Sequence, residues 1–139
     1  MSQSATAVSV PGTSSQIQEY DAIVDVMNRY SEGVRTGSSS VMKPVFHQGC
    51  TFYGYYQGSL LAGPIQMLFD WVDGNGPAAD IRIRIASVDI RDSIASVRIE
   101  IESMMGKLAG SSPSRLTDLF QLIRIDGNWM ISQKSFHWY

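Results

Sequence analysis

From Asp80 to its end the chain is a succession of alternating runs: "DIRIRIASVDIRD", "SIASVRIEIES", "RLTDLFQLIRI" and "NWMISQKSFHWY". A two-residue period buries one face of a strand and leaves the other to water. Four such runs in series, separated by turn signals and with no helical pattern between them, predict antiparallel strands that share one buried face. Within the first run the apolar parity flips, since Ile81, Ile83 and Ile85 are odd whereas Val88 and Ile90 are even. One extra residue near Ala86-Ser87 puts both sets on one side, so a β-bulge is expected there, bending the strand. A bent sheet has a hollow, and helices laid across it leave room for a ligand near the open end.

Helices must come from the first eighty residues. Residues 1–15 are small and polar and read as a flexible tail, leaving one domain over 16–139. In "IQEYDAIVDVMNRYSEGVRTG", Ile17, Tyr20, Ile23 or Val24, Met27, Tyr30 and Val34 recur at steps of three and four, the stripe of an amphipathic helix. Ser14 or Ser15 suits its N-cap and Gly37 its end. A short second helix is expected around Pro44, then a hairpin about Gly58 in "CTFYGYYQGSLLAG". A third helix follows, with Pro64 at its first position and Ile65, Leu68, Phe69 and Val72 on one face. The loop at 106–114 is positioned to act as a rim.

Composition narrows the function classes. The 139 residues are 44% hydrophobic and 17% charged, which suits a single globular core. Eleven Lys and Arg against thirteen Asp and Glu give a net charge of -2, too little positive charge to meet a phosphate backbone, so nucleic acid is not an expected partner. Cys50 is the one cysteine and reads as a small buried hydrophobe; no metal-spaced cluster, phosphate loop or nucleophile elbow accompanies it, so neither metal nor cofactor is expected. Without a signal-peptide pattern or a membrane-length apolar run, no membrane association and a cytoplasmic location are expected.

The order of elements, "VFHQGCTFYGYYQGSLLAG" and the closing "TDLFQLIRIDGNWMISQKSFHW" resemble the NTF2-like superfamily. Within it the chain is most similar to the group described as lumazine-binding, near SnoaL-like and ketosteroid-isomerase-like proteins. The resemblance covers about residues 16–138. It implies an α+β cone, a curved mixed or antiparallel sheet wrapped around N-terminal helices, a homodimer and, through the word lumazine, a heteroaromatic ligand. It implies no single activity, because one fold hosts many.

Candidate residues depend on the last hairpin. A two-residue type I′ turn at Asp126-Gly127 puts Asp118 and His137 on one face, an acid/base pair. A three-residue loop with Gly127 as a G1 bulge sets Asp118 opposite Lys134 and turns His137 away. The second register is preferred, since it puts glycine where positive φ is needed. Asp118 then reads as a surface or rim partner of Lys134 somewhat more readily than as a pocket carboxylate. His137 reads as packing or a dimer contact more readily than as a base, and His47 as a cleft base about as well as a satisfied histidine at a helix end. Tyr30, on the first helix's stripe, is equally a core residue or a hydroxyl donor to a ligand. Tyr53, Tyr55 and Tyr56, with Phe52, Phe69 and Trp71, are candidates to stack on a flat ring. Arg98, Glu100 and Glu102 share a parity that reads as a solvated face.

Two functions are therefore carried forward. One is a non-catalytic pocket for a small aromatic or heterocyclic ligand, with Tyr30, His47, Tyr53, Trp71, Asp118, Lys134 and His137 as its candidates. The alternative is a cofactor-independent isomerase or dehydratase in which Asp118 or His47 takes a proton while Tyr30 polarises an oxygen.

Overall fold

A computed structural model describes residues 15–105 and 114–139; nearly all of the N-terminal tail and of the expected rim loop lies outside these. Helix α1, Gln16–Thr36, starts at Ser15, whose hydroxyl accepts from the Gln18 amide while the Gln18 side chain accepts from Ser15, a capping box. It ends at Gly37, whose φ of 71° is the left-handed conformation that glycine adopts without strain. The packed stripe begins only at Ile23 and continues through Val26, Met27, Tyr30 and Val34. Ile17 and Tyr20, expected on it, are exposed, because the first turns of α1 have no core beneath them.

Helix α2, Ser39–Met42, runs into a single 3-10 turn, Lys43–Val45, that contains Pro44. Strands β1, Phe46–Tyr56, and β2, Ser59–Pro64, form the hairpin about Gly58, with positive φ at both Gln57 and Gly58 as a type I′ turn requires. Pro64 does not open the third helix. It ends β2 opposite Thr51, at the edge of the sheet where a missing N–H is tolerated, and α3, Gln66–Asn75, begins after Ile65. Leu68, Phe69 and Val72 of α3 are buried, as is Ile65 before it.

Strands β3 (Arg82–Arg91), β4 (Ile94–Glu102), β5 (Arg115–Ile125) and β6 (Asn128–Trp138) complete a six-stranded sheet of order β2-β1-β6-β5-β4-β3. All neighbours are antiparallel except β1 and β6, which run parallel, so the sheet is mixed. The bulge expected in β3 is present: Ile85 faces Ile99, Ser87 faces Arg98, and Ala86 is extra. On the inner face Val97, Ile99, Ile101, Leu116, Phe120 and Ile131 pack under the helices, while Arg98 and Glu102 stay exposed on the outer face. Among the described residues no helix is long and apolar enough to cross a membrane.

The last hairpin corrects the preferred register. Ile125 pairs with Asn128, and Asp126 and Gly127 both have positive φ, 50° and 82°, so the turn is the two-residue type I′ form. Aspartate tolerates the left-handed region well enough to take its first position. A second irregularity lies higher in the hairpin, where Leu122 faces Ile131 but Gln121 faces Gln133, leaving Ser132 unpaired in β6. Above this bulge Asp118 faces Phe136 and Lys134 faces Phe120. Asp118 and Lys134 thus share the inner face as diagonal neighbours, and His137, opposite Thr117, takes the other face. The expected Asp118–Lys134 charge pair forms, but diagonally and through a bulge in the strand, not as the directly opposed pair that a three-residue loop would give.

Candidate functional site

Between α3, the inner ends of β1, β5 and β6, and the segment after β4 lies a cavity of about 390 Å³, within the usual range for a small-molecule site. Leu61 and Met67, 38% and 41% exposed, mark its mouth; Leu116 and Lys134, 0% and 2% exposed, mark its floor. Its walls are mainly aromatic and sulfur-bearing. Phe52 stacks on Phe136 with centroids 5.5 Å apart, and Trp138 meets Tyr56 and Trp71 edge-on at 5.2 and 6.2 Å. Gly54 belongs to this arrangement, since a Cβ there would collide with the Phe136 carbonyl oxygen and ring. Among the described residues Lys134 is the one charged residue in the lining.

The lysine is held from behind. Its Nζ lies 3.1 Å from Asp118 Oδ1, and Tyr30 donates its hydroxyl to Asp118 Oδ2 at 3.0 Å. The ammonium sits beside Oδ1 off the direction of an aligned hydrogen bond, so this contact is chiefly a charge pair and Oδ1 keeps an unfilled acceptor position. The ammonium also lies 4.6 Å from the Phe136 ring centroid and 5.9 Å from that of Tyr30. Tyr30 is fixed in turn by edge contacts with Phe46 and Phe120.

Burial sets the electrostatics of this cluster. Asp118 is fully buried, and loss of water pushes its carboxyl upward, an effect opposed by the neighbouring Lys134 charge and by the hydrogen bond from Tyr30. The Tyr30 hydroxyl is raised well above 10 by burial and then by the neighbouring carboxylate, which keeps it a donor. The Cys50 thiol is pushed up to about 11 by burial, with the Lys134 charge acting against the rise. Cys50 is thus a small buried group and no nucleophile at neutral pH.

Of the residues singled out in the sequence, Lys134, Trp71, Phe52 and Tyr56 line the cavity, Tyr55 and Phe69 do not, and Tyr30 and Asp118 stand behind Lys134 rather than in the wall. The Asp118–Lys134 pair is buried, not the surface or rim pair that exposed strands would give. His47, Tyr53 and His137 are not in the lining. The Nδ1 of His47 accepts from the Gly49 amide, Tyr53 is half exposed, and His137 packs edge-on against Tyr139 at 4.9 Å. Glu100 accepts from Thr117 and pairs with Arg98 outside the cavity. The sequence reading missed Trp138, Met67 and Met104 as wall residues. Trp138 was recoverable, because it shares parity with Lys134 and Phe136; the methionines lie in segments whose place in the wall has no local signal. Among the described residues no group of three His, Cys, Asp or Glu side chains is placed to hold a metal.

Comparison with known proteins identifies the architecture. Residues 18–137 match the family described as "Putative lumazine-binding". The chain belongs to this family. A second member of the comparison is an aldolase, FrzH, from Cladobotryum sp, to which this lumazine-binding-family domain is 31% identical over 121 residues, 87% of its own length and 92% of the aldolase's. Two crystal structures of NTF2-like proteins of unknown function share the fold. The one from Shewanella baltica OS155 has 34% identity and a TM-score of 0.82 over 91% of this chain and 98% of that one. The one from Methylobacillus flagellatus KT has 32% identity and a TM-score of 0.81 over 90% and 95%. The α+β cone implied by the sequence is therefore the fold of this domain.

Proposed function

We propose that this lumazine-binding-family domain takes a small, flat, mostly apolar molecule bearing a carbonyl oxygen into the cavity, and that Lys134 donates to that oxygen. The observation that carries this reading is that, among the described residues, a single ammonium sits on the floor of an otherwise aromatic and aliphatic cavity. Phe52, Phe136, Trp71 and Trp138 supply faces and edges for a ring system, and a buried cation unmatched by other polar groups in the wall favours one polar atom at a fixed place. Lumazine, which the family's description names, is a planar heteroaromatic with ring carbonyls and suits such a site.

The aldolase relative favours a second step on the same geometry. An ammonium beside a carbonyl oxygen stabilises the negative charge that grows there when a neighbouring carbon is deprotonated or a neighbouring C–C bond breaks. In this version Lys134 is the electrophilic group and Tyr30 and Asp118 position it. Direct proton abstraction by Asp118 or His47 has less support, because neither lies in the cavity wall. A homodimer through the outer sheet face is proposed as well, on the half-exposed Tyr53, Tyr55 and Leu119 there; sedimentation at micromolar concentration tests it.

The binding reading is tested by thermal unfolding with a panel of pterins, flavins and aromatic ketones and aldehydes. At least one class is expected to raise the Tm of the wild type, by the equivalent of about 2.7 kcal/mol at a hundredfold excess over its Kd. The rise should shrink in Trp138→Ala and vanish in Lys134→Met. No shift from any compound at millimolar concentration overturns the proposal.

A further inference from the structure

We infer that Lys134 is an amine nucleophile that condenses with the carbonyl carbon of a ligand in the cavity, with Asp118 as the group that takes and returns its proton. This rests on the binding reading above and deepens it, from a charge that touches a carbonyl to a covalent imine. Three observations lead there. Among the described residues the amine is the only charged group in the lining, so within that wall a carbonyl compound held by the aromatic side chains meets one cation. Its sole carboxylate neighbour in ion-pair reach lies at 3.1 Å, with an acceptor position on Oδ1 still unfilled. The second carboxylate oxygen is already fixed by Tyr30, so the group that would shuttle the proton is held in place on its far side.

The chemistry balances without any further reactant. Lys134 passes one proton to Asp118 Oδ1, converting a buried ion pair into two neutral groups, a change that an apolar surround favours. The amine lone pair then attacks the carbonyl carbon; the C=O π bond opens, and a proton moves from nitrogen to oxygen to give a neutral carbinolamine. Asp118 returns its proton to the hydroxyl, the C–O bond breaks, and water leaves. The product is an iminium ion and a carboxylate, so the charge pair of the resting state is restored with the ligand attached. The iminium is a stronger electron sink than the carbonyl it replaces and eases loss of a proton, or cleavage of a C–C bond, at the neighbouring carbon. Cys50, whose thiol feels the Lys134 charge, is held high by burial and stays a neutral bystander.

The chain contains three lysines, Lys43, Lys107 and Lys134, which makes the test internally controlled. The full chain is incubated with an aromatic aldehyde such as 2-naphthaldehyde, reduced with cyanoborohydride, and mapped by peptide mass spectrometry, with thermal unfolding under the same conditions. The expected result is a reduced adduct on Lys134 that forms at least tenfold faster than on Lys43 or Lys107. Lys134→Arg is expected to keep a ligand-induced Tm rise and lose the adduct. Asp118→Asn should slow adduct formation at least tenfold; if that variant does not fold, Tyr30→Phe is expected to slow it by a smaller factor. A Tm rise with no preferential adduct on Lys134 overturns the imine and leaves the binding site standing. Neither a Tm rise nor an adduct, across the aldehyde and ketone panel, overturns both.

Discussion

The same sheet carries opposite charges on both of its faces, with different consequences. On the outer face Arg82 and Glu102 lie 3.1 Å apart across β3 and β4, with side chains 68% and 52% exposed. On the inner face Lys134 and Asp118 lie at the same 3.1 Å, with exposures of 2% and 0%. Distance does not distinguish these pairs; solvation does. Water screens the outer pair, which contributes on the order of 0–1 kcal/mol. The inner pair has lost its hydration on both sides, so each charge depends on the other, and the pair as a whole need not stabilise the fold.

The contrast breaks most visibly in Asp118→Ala. That change leaves a buried ammonium uncompensated and is expected to lower the unfolding free energy by roughly 3–5 kcal/mol, measured by denaturant melts. The double variant Asp118→Leu with Lys134→Met removes both charges and should return to wild-type stability or above it. If the single and double variants are equally unstable, the pair is a net stabiliser and not a retained functional group.

A pH series sharpens the same point. The folded-state carboxyl of Asp118 lies above its unfolded value of 3.8, because burial outweighs its partners. Its contribution is thus fully present below 3.8 and lost as pH rises through the folded value. The stability of the wild type relative to Asp118→Asn is expected to increase as pH is lowered toward 3.8. A difference that shrinks on acidification would mean that Lys134 dominates and the carboxyl is held down.

Tyr30→Phe comes next. It removes one donor to a buried carboxylate and should cost about 1.5–3 kcal/mol, measured by denaturant melts. At the small end, Arg82→Ala is expected to change stability by less than about 1 kcal/mol, and the change should fade in 1 M salt. A salt-independent loss at Arg82 would mean that the outer face is covered.

Much of this architecture was legible because strand parity is a strict rule. The flip between Ile85 and Val88 located the bulge near Ala86-Ser87, where the register shifts between Ile85 and Ser87. The same flip exists in β6, where the inward Trp129 and Ile131 are odd and the inward Phe136 and Trp138 are even. Applied there, the rule puts a bulge between Ile131 and Lys134 and places Lys134 inside, whichever turn Asp126-Gly127 adopts. The turn itself was not decidable from its residues, because Asp-Gly serves both the type I′ form and a G1 bulge. Depth was not legible either. Alternation assigns a face, whereas the burial of Lys134 depends on how closely α1 and α3 approach, and lysine is among the residues least often buried. The cavity is the space these approaches leave, so no stretch of sequence encodes it locally.

The extra residue in β6 buffers this site against one kind of genetic change. Losing Ser132 as a single codon would close the ladder with Leu122, Gln121 and Phe120 still opposite Ile131, Gln133 and Lys134, so the amine, its aromatic neighbours and Trp138 would keep their face and only the local bend would go. The opposite outcome needs Ser132 kept and the bulge lost, for then Gln133, Ser135 and His137 would look inward. Chains that differ from this one by a one-residue gap at this position should therefore keep the lysine-floored pocket.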